Sequence, residues 1–263
     1  MKDENKTKNE SLPLWQRVPK WLLPFVIIAI GIAIFFIAQY AASLLLSLYA
    51  LIRGWDYQQA TSWLTNSVTA QFFFILFFEA VSVGLLYGLF KYYHRSLAVI
   101  GLKRPRLKDS GYALLAYPVY LIIYIVVIAL ATHLFPSLNV NQAQHIGFNS
   151  VHGIYQLVIT FISLVVLPPI AEELLFRGFL FEGLKKSMPV IYAGIITSLI
   201  FAAAHLPEGG ASGPFWIGAL DVFILSLVLV YLKQKTKTLW PGIFLHAIKN
   251  LVAFISLFLL TNR

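Results

Sequence analysis

Residues 168 to 178 read Pro-Pro-Ile-Ala-Glu-Glu-Leu-Leu-Phe-Arg-Gly, and they place three charges in an apolar part of the chain. A charged side chain at the centre of a bilayer costs about 2.5–3.5 kcal/mol on insertion scales, so such groups face the interior of a helix bundle. Glu173 and Arg177 are four residues apart and share one helix face, in the favourable acid-first order. Glu172 points about 100° away from Glu173 and has no cation at helical spacing. The stretch therefore predicts one neutralised carboxylate and one that is free for chemistry.

The composition of the chain is that of a membrane protein. Of 263 residues, 59% are hydrophobic and 12% are charged, and the mean hydropathy is +0.77. Soluble domains are about 45–50% apolar and about 25% charged, so we expect an integral membrane protein. The net charge is +9, but the basic residues cluster at the ends of apolar runs, where they indicate membrane topology rather than nucleic-acid binding. The sequence contains no cysteine, which excludes disulfides, thiolate nucleophiles and cysteine-ligated metals.

The apolar runs predict an all-α fold, a multi-pass transmembrane bundle of seven or eight helices with broken helices around an intramembrane active site. The number depends on whether residues 152–184 form one span, broken at Pro168-Pro169, or two elements. We divide the chain into a polar cytoplasmic tail at 1–20, amino-terminal transmembrane helices at 21–150 and a carboxy-terminal transmembrane region at 151–263, which carries the polar motifs.

The distribution of charge predicts the orientation of the chain. The segment 91–108 is the most basic loop. The positive-inside rule therefore predicts that this loop and the amino terminus are both cytoplasmic. The first apolar run is too long for a cleaved signal peptide, so we expect an uncleaved first span. The absence of cysteine and the short amino-terminal tail favour a bacterial plasma membrane.

Three apolar segments each carry a pair of residues four apart whose polar members could face one cavity: Glu173 and Arg177, with Glu172 beside them; Phe201 and His205; His246 and Asn250. Together they would supply a carboxylate base, two imidazoles and an amide donor in a low-dielectric site, which suits the attack of water on a carbonyl. Glu172 would accept the proton, and His246 and Asn250 would stabilise the oxyanion. Taken singly, each motif also fits a structural role, such as a buried ion pair or a packed histidine.

The role of His205 has two alternatives, because it could orient the water or ligate a metal. One glutamate and two histidines form a donor set used at catalytic zinc sites, with water in the fourth position. Glu172, His205 and His246 could therefore bind a divalent metal such as zinc. Water activated by the glutamate without a metal fits the same residues, and the spacing does not decide between the two.

Straight spans would not bring these groups together. Counted from the lysines at the span ends, Glu172 lies roughly 20 Å deep and His246 only about 10–15 Å deep. Non-helical backbone is tolerated in a membrane where it lines a cavity, so we predict at least one break that closes the gap. The candidate positions are Pro168-Pro169, residues 207–214 and residues 240–242. Two further embedded acids, Glu79 and Asp221, are predicted to pair with Lys249 or a helix end, or to line a substrate path.

The three motifs resemble the CAAX-protease and bacteriocin-processing family of intramembrane proteases, also called the Abi family. The pattern is Glu-Glu-x-x-x-Arg, Phe-x-x-x-His and His-x-x-x-Asn, in the local settings of residues 168–179, 201–207 and 239–250. The resemblance covers about residues 155–255 and implies a multi-pass helical endopeptidase whose site opens to the cytoplasmic side. It further implies that Glu172 activates water with His205 as its partner, that His246 and Asn250 take the oxyanion or metal role, and that Glu173 with Arg177 supports the site.

The resemblance implies a membrane-associated protein or peptide as substrate, either a prenylated CAAX-type protein or a bacteriocin-like peptide. It does not choose between these substrates, and it leaves the metal and the oligomeric state open. The alternative hypothesis is a non-catalytic membrane protein, for bacteriocin self-immunity or for binding a peptide or an ion, that uses the same cavity.

Overall fold

The computed structural model describes residues 18–142, 144–148 and 151–260, and all regular structure in these ranges is helical. Almost all of the predicted polar tail, at residues 1–17, lies outside the described residues. The helices are α1 Leu23–Ile52, α2 Tyr57–Asn66, α3 Val68–Tyr92, α4 Leu107–Leu134, α5 Gly153–Leu184, α6 Val190–Ala204, α7 Trp216–Thr236 and α8 Trp240–Leu260.

Within the described ranges, seven helices are long and apolar enough to cross a membrane: α1, α3, α4, α5, α6 with the turn that follows it, α7 and α8. The short helix α2 is not among them, because it is polar and only 10 residues long. Asp56 starts α2 with a reciprocal capping box, in which it accepts from the Gln59 amide at 2.8 Å. The predicted all-α bundle is confirmed, with seven spans.

Large apolar side chains cover the outside of the bundle. Phe36 on α1 is 60% exposed, and Leu115 and Ile125 on α4 are 73% and 63% exposed. Water would oppose a continuous apolar surface of this kind, whereas the hydrocarbon of a bilayer accepts it. The seven apolar helices and this surface make the chain an integral membrane protein.

Helix α5 is one continuous element, which resolves the alternative that the sequence left open. The double proline does not end it, and a π-helical stretch at Ile162–Val166 lies one residue before Pro168 and Pro169, with Leu167 between them. A proline has no amide proton to donate to a carbonyl of the preceding turn. A π-helical turn next to the proline is a common way for a helix to continue despite the missing hydrogen bond. A second π-helical stretch, Glu173–Leu180, follows and contains Glu173 and Arg177.

Two apolar clusters hold the bundle together, and α7 and α8 belong to both. The first joins α1 and α3 to α5 through side chains such as Ile27, Leu86 and Leu174. The second packs α4 against α7 and α8 around Tyr120 and Leu229. The helices that carry the sequence motifs are therefore fixed from two sides.

The segment after α6 provides the break that the sequence required. Residues Leu206–Ser212 form a 3₁₀ turn, interrupted at Gly210, whose φ of 56° and ψ of −135° are not helical. A positive φ of this size is the region that glycine reaches at least cost. The turn is tied to the loop before α5, because the amide of His145 donates to the carbonyl of Glu208 at 2.7 Å.

Candidate active site

A buried ion pair lies at the centre of the site. Arg177 Nη1 donates to Glu173 Oε1 at 2.7 Å, and both residues are 0% exposed. The guanidinium also lies over the ring of Phe201, 4.3 Å from its centroid, an arrangement that favours a cation. The predicted pairing of Glu173 with Arg177 is present, although the backbone between them is π-helical rather than α-helical.

His246, on α8, lies between the two glutamates. Its Nδ1 is 3.6 Å from Glu173 Oε1, and its Nε2 is 3.8 Å from Glu172 Oε2. Both distances are slightly longer than hydrogen bonds, and the residue is 4% exposed. The imidazole thus has a carboxylate at each nitrogen, and Arg177 already neutralises the charge of Glu173.

Glu172 faces a cavity of about 470 Å³ that also reaches His205. Its side chain is 23% exposed, while its Oε2 atom is buried and has no hydrogen-bond partner in the described part of the chain. A buried polar atom without a partner costs free energy, which the packing of the surrounding helices has to offset. The carboxylate that the sequence predicts to be free is the one exposed to this cavity.

His205 ends α6 and forms another part of the cavity wall. Its Nδ1 is 2.8 Å from the carbonyl of Phe201, and because a carbonyl only accepts, Nδ1 carries the proton in that contact. The neutral ring then presents Nε2 as an acceptor, 4.0 Å from Glu208 Oε1. The residue lies at the boundary between helix and turn, not inside a helix as its spacing from Phe201 suggests.

The side-chain amide of Asn250 is already hydrogen-bonded to another helix, so it is not free to act beside His246. Its Nδ2 donates to the carbonyl of Leu164 at 2.9 Å, in the π-helical stretch of α5. The residues four and five positions after Leu164 are Pro168 and Pro169, and neither has an amide proton to give. Asn250 therefore supplies the hydrogen bond that the double proline withholds, and it joins α8 to α5 beside Glu172.

We expect Asn250→Ala to lower the free energy of unfolding by about 1–3 kcal/mol, because the Leu164 carbonyl loses its donor. Thermal unfolding of the purified protein in detergent would measure this loss. Asn66→Ala is the matched control, since its amide binds Ser62 Oγ at 3.3 Å on the surface, and its effect should stay within about 0.5 kcal/mol. Unchanged stability with reduced turnover would contradict the structural role of the Asn250–Leu164 hydrogen bond. It would favour the role in stabilising the oxyanion that the sequence predicts.

Gly242 allows α8 to approach the ion pair. A Cβ at this position would lie 2.7 Å from Glu173 Oε2, closer than real contacts allow. Gly242 lies in the first turn of α8, where the partial positive charge of a helix amino terminus favours a carboxylate. The position therefore requires a residue without a side chain, which also brings Glu173 within reach of His246.

Gly242→Ala is expected to displace the Glu173 carboxylate and with it His246, and to lower catalytic efficiency by about tenfold to a hundredfold, as small misplacements in an active site do. Turnover and thermal unfolding would be measured together. Gly84→Ala is the control, because a Cβ there meets nothing within 4 Å. Full activity in Gly242→Ala would show that the close approach has no functional role.

The candidate metal ligands do not fit a metal site as arranged. Among the described residues, no group of three or more histidine, aspartate and glutamate side chains could hold a metal ion. His246 Nε2 is 3.8 Å from Glu172 Oε2, but His205 does not join these two side chains in such a group.

Two embedded acids that the sequence singled out have different surroundings. Asp221 accepts from the hydroxyl of Tyr120 and lies 3.3 Å from Lys249, so the predicted pairing with Lys249 is confirmed for this residue. Glu79, on α3, instead lines the cavity together with Ser82. None of the three sequence motifs lies on α3, so they did not predict that this helix lines the cavity. The signal that could have shown it is an acidic residue in the middle of an apolar span.

The carboxy-terminal region matches a known family. Residues 154–252 match the family model described as Type II CAAX prenyl endopeptidase Rce1-like. This region is thus similar to the Rce1-like endopeptidases, and the resemblance to the CAAX-protease and bacteriocin-processing family that the motifs indicated is confirmed. The match contains all six predicted site residues and leaves out α1 to α4.

One curated relative supports the same class. The protein named "Putative membrane peptidase YdiL" of Bacillus subtilis (strain 168) is 28% identical over 85 residues. The alignment covers 32% of this chain and 32% of the relative, so the chain spans about a third of the length of the curated relative that it matches. No solved structure matches the chain significantly.

Proposed function

We propose that the protein is an intramembrane endopeptidase that hydrolyses a peptide bond of a membrane-associated, prenylated CAAX-type protein. The observation that carries the proposal is Glu172, which lines a cavity inside an apolar bundle and whose Oε2 atom has no hydrogen-bond partner among the described residues. The class of substrate is supported by the family match of residues 154–252. The proposed site residues are Glu172, His205 and His246, supported by Glu173, Arg177 and Asn250.

The first step is the addition of water to the scissile carbonyl. Ionised Glu172 accepts a proton from the water, and the resulting hydroxide forms a bond to the carbonyl carbon. The acceptor nitrogen of His205, across the same cavity, receives the second proton of the water in a hydrogen bond and so orients it. The carbonyl oxygen takes the negative charge in a tetrahedral intermediate.

The second step is the collapse of that intermediate. Nε2–H of His246 donates to the oxyanion, and the Glu173 carboxylate beside Nδ1 stabilises positive charge on the ring. Glu172 then gives its proton to the leaving nitrogen, and the carbon–nitrogen bond breaks. The oxyanion re-forms the carbonyl, so the products are an amine and a carboxylic acid that keeps the second proton of the water, and Glu172 is ionised again. Transfer of that second proton to the amine then gives a carboxylate and an ammonium group.

The substrate class can be tested with synthetic peptides. Purified protein in liposomes would be given farnesylated peptides that end in three residues after the modified cysteine, and the same peptides without the farnesyl group. Mass spectrometry would measure the released tripeptide. We expect release by the wild type, faster from the farnesylated peptide because it concentrates in the bilayer, and none by Glu172→Gln. Equal release by both proteins would contradict the proposal.

A further inference from the structure

Helix α3 contributes a second acidic side chain to the catalytic cavity, although α3 lies outside the region of the family match. Glu79 is 7% exposed and lines the cavity with Glu172. It forms no hydrogen bond or ion pair with any described residue. It is 11 residues from the start of α3 and 13 from its end, which at 1.5 Å per residue puts it about 16–20 Å from either end of the helix.

An ionised acid at that depth without a counter-charge is costly, since insertion scales give about 2.5–3.5 kcal/mol for aspartate at the centre of a membrane-spanning helix. Ser82, one turn further along α3, is 3% exposed and its Oγ also has no partner among the described residues. Both side chains line the cavity. Two unsatisfied polar side chains on one face, more than nine-tenths buried, indicate that a ligand completes them.

The other groups around the cavity indicate the sign of that ligand. The lining includes the carboxylates of Glu79, Glu172 and Glu208, and no lysine or arginine is among the described residues that line it. The two nearby cations of the interior are already engaged, Arg177 with Glu173 and Lys249 with Asp221. The described lining of the cavity therefore has three acidic side chains and no lysine or arginine to pair with them.

Aromatic rings add to the preference for a positive charge. The lining contains Phe35, Phe74 and Phe78 from α1 and α3, and the rings of Phe35 and Phe78 are in edge contact at 5.3 Å. A cation over an aromatic face is attracted by the ring quadrupole, more strongly where water is excluded. Carboxylates and phenyl rings together bind ammonium and guanidinium groups well.

We propose that Glu79 and Ser82 form a subsite for a lysine or arginine side chain of the substrate, next to the bond that Glu172 would hydrolyse. The role in specificity rests on the proposed function. The binding of a cation does not, and it can be measured without any cleavage. A cavity of about 470 Å³ is large enough for one long side chain and the peptide that bears it.

Binding of a free cation tests the subsite itself. Thermal unfolding of the purified wild type, Glu79→Gln and Glu182→Gln would be measured in the presence of hexylguanidinium. Hexanol, which has the same chain without the positive charge, would be the comparison compound. Glu182 is the matched control, because it pairs with Lys185 and Lys233 away from the cavity. We expect hexylguanidinium to stabilise the wild type and Glu182→Gln by binding the folded state, and to have no such effect on Glu79→Gln. Equal stabilisation of all three proteins, or of none, would overturn the subsite.

Cleavage tests the role in specificity. With peptide pairs that differ only by lysine or norleucine near the scissile bond, Glu79→Gln should lower kcat/KM for the lysine peptides about 10- to 100-fold, mainly through KM, and leave the norleucine peptides within about twofold. Equal losses for both peptides would overturn the specificity role. If no peptide is cut in a Glu172-dependent way, the peptidase proposal fails, while the result with hexylguanidinium still decides the cation subsite.

Discussion

Glu172→Gln is expected to lower peptide hydrolysis by about 10²–10⁴-fold, the range that general acid–base catalysis contributes. The amide keeps the shape of the side chain but cannot take a proton from water or return one to the leaving nitrogen. The fold should survive, because Glu172 Oε2 has no hydrogen-bond partner to lose within the described ranges. A neutral amide is also less costly to bury than a carboxylate.

Steady-state kinetics of purified protein on one cleaved peptide would measure the loss, with thermal unfolding as the check on the fold. Glu172→Asp serves as the companion variant, because it keeps the carboxylate but withdraws it by one methylene, so its activity should lie between those of the wild type and Glu172→Gln. Turnover by Glu172→Gln within tenfold of the wild type would remove Glu172 from the role of base.

Arg177→Ala is expected to lower the free energy of unfolding by about 3–5 kcal/mol, the cost of breaking a buried ion pair by removing one partner. Arg177 and Glu173 are both 0% exposed and 2.7 Å apart. The substitution leaves the Glu173 carboxylate buried without its cation, and it also removes the contact with Phe201. Denaturant or thermal unfolding in detergent would show the change.

The chain offers a matched arginine for comparison. Arg106 pairs with Asp109 at 3.4 Å, and its own side chain is 50% exposed. Asp109 is itself buried, but Arg106→Ala should cost only about 1 kcal/mol, because the arginine that is removed is half exposed and its contact with Asp109 is long. The main-chain amide of Arg106 still donates to Asp109 Oδ2 at 2.8 Å, so the start of α4 is kept. Similar losses in the two variants would contradict the idea that burial gives the Glu173–Arg177 pair its importance.

The parts of the site that the sequence predicted are those set by spacing within one helix. Glu173 meets Arg177 because residues four apart lie on one side of a helical segment, even though a π-helical stretch changes the backbone there. The spans were predictable for a similar reason, since length and hydropathy decide whether a helix can cross a bilayer. The seven spans in the described part of the chain follow once α5 is continuous through its prolines.

The parts that could not be predicted depend on how separate helices pack. The bond from Asn250 to Leu164 joins residues 86 positions apart, and the spacing of Asn250 from His246 instead suggested a shared role at the oxyanion. The wall formed by Glu79 depends on the packing of α3 beside α5. Spacing within a segment carries no information on such contacts, because they are fixed by the apolar clusters that join the helices.

The most direct test of the account compares the peptides released from host membranes that carry the wild type with those from membranes that carry Glu172→Gln, at matched amounts of folded protein. We predict fragments that are present only with the wild type, whose new ends give the cleavage sequence. Identical peptide profiles from the two membranes would contradict the claim that Glu172 activates water for peptide hydrolysis, and would favour a binding or immunity role for the cavity.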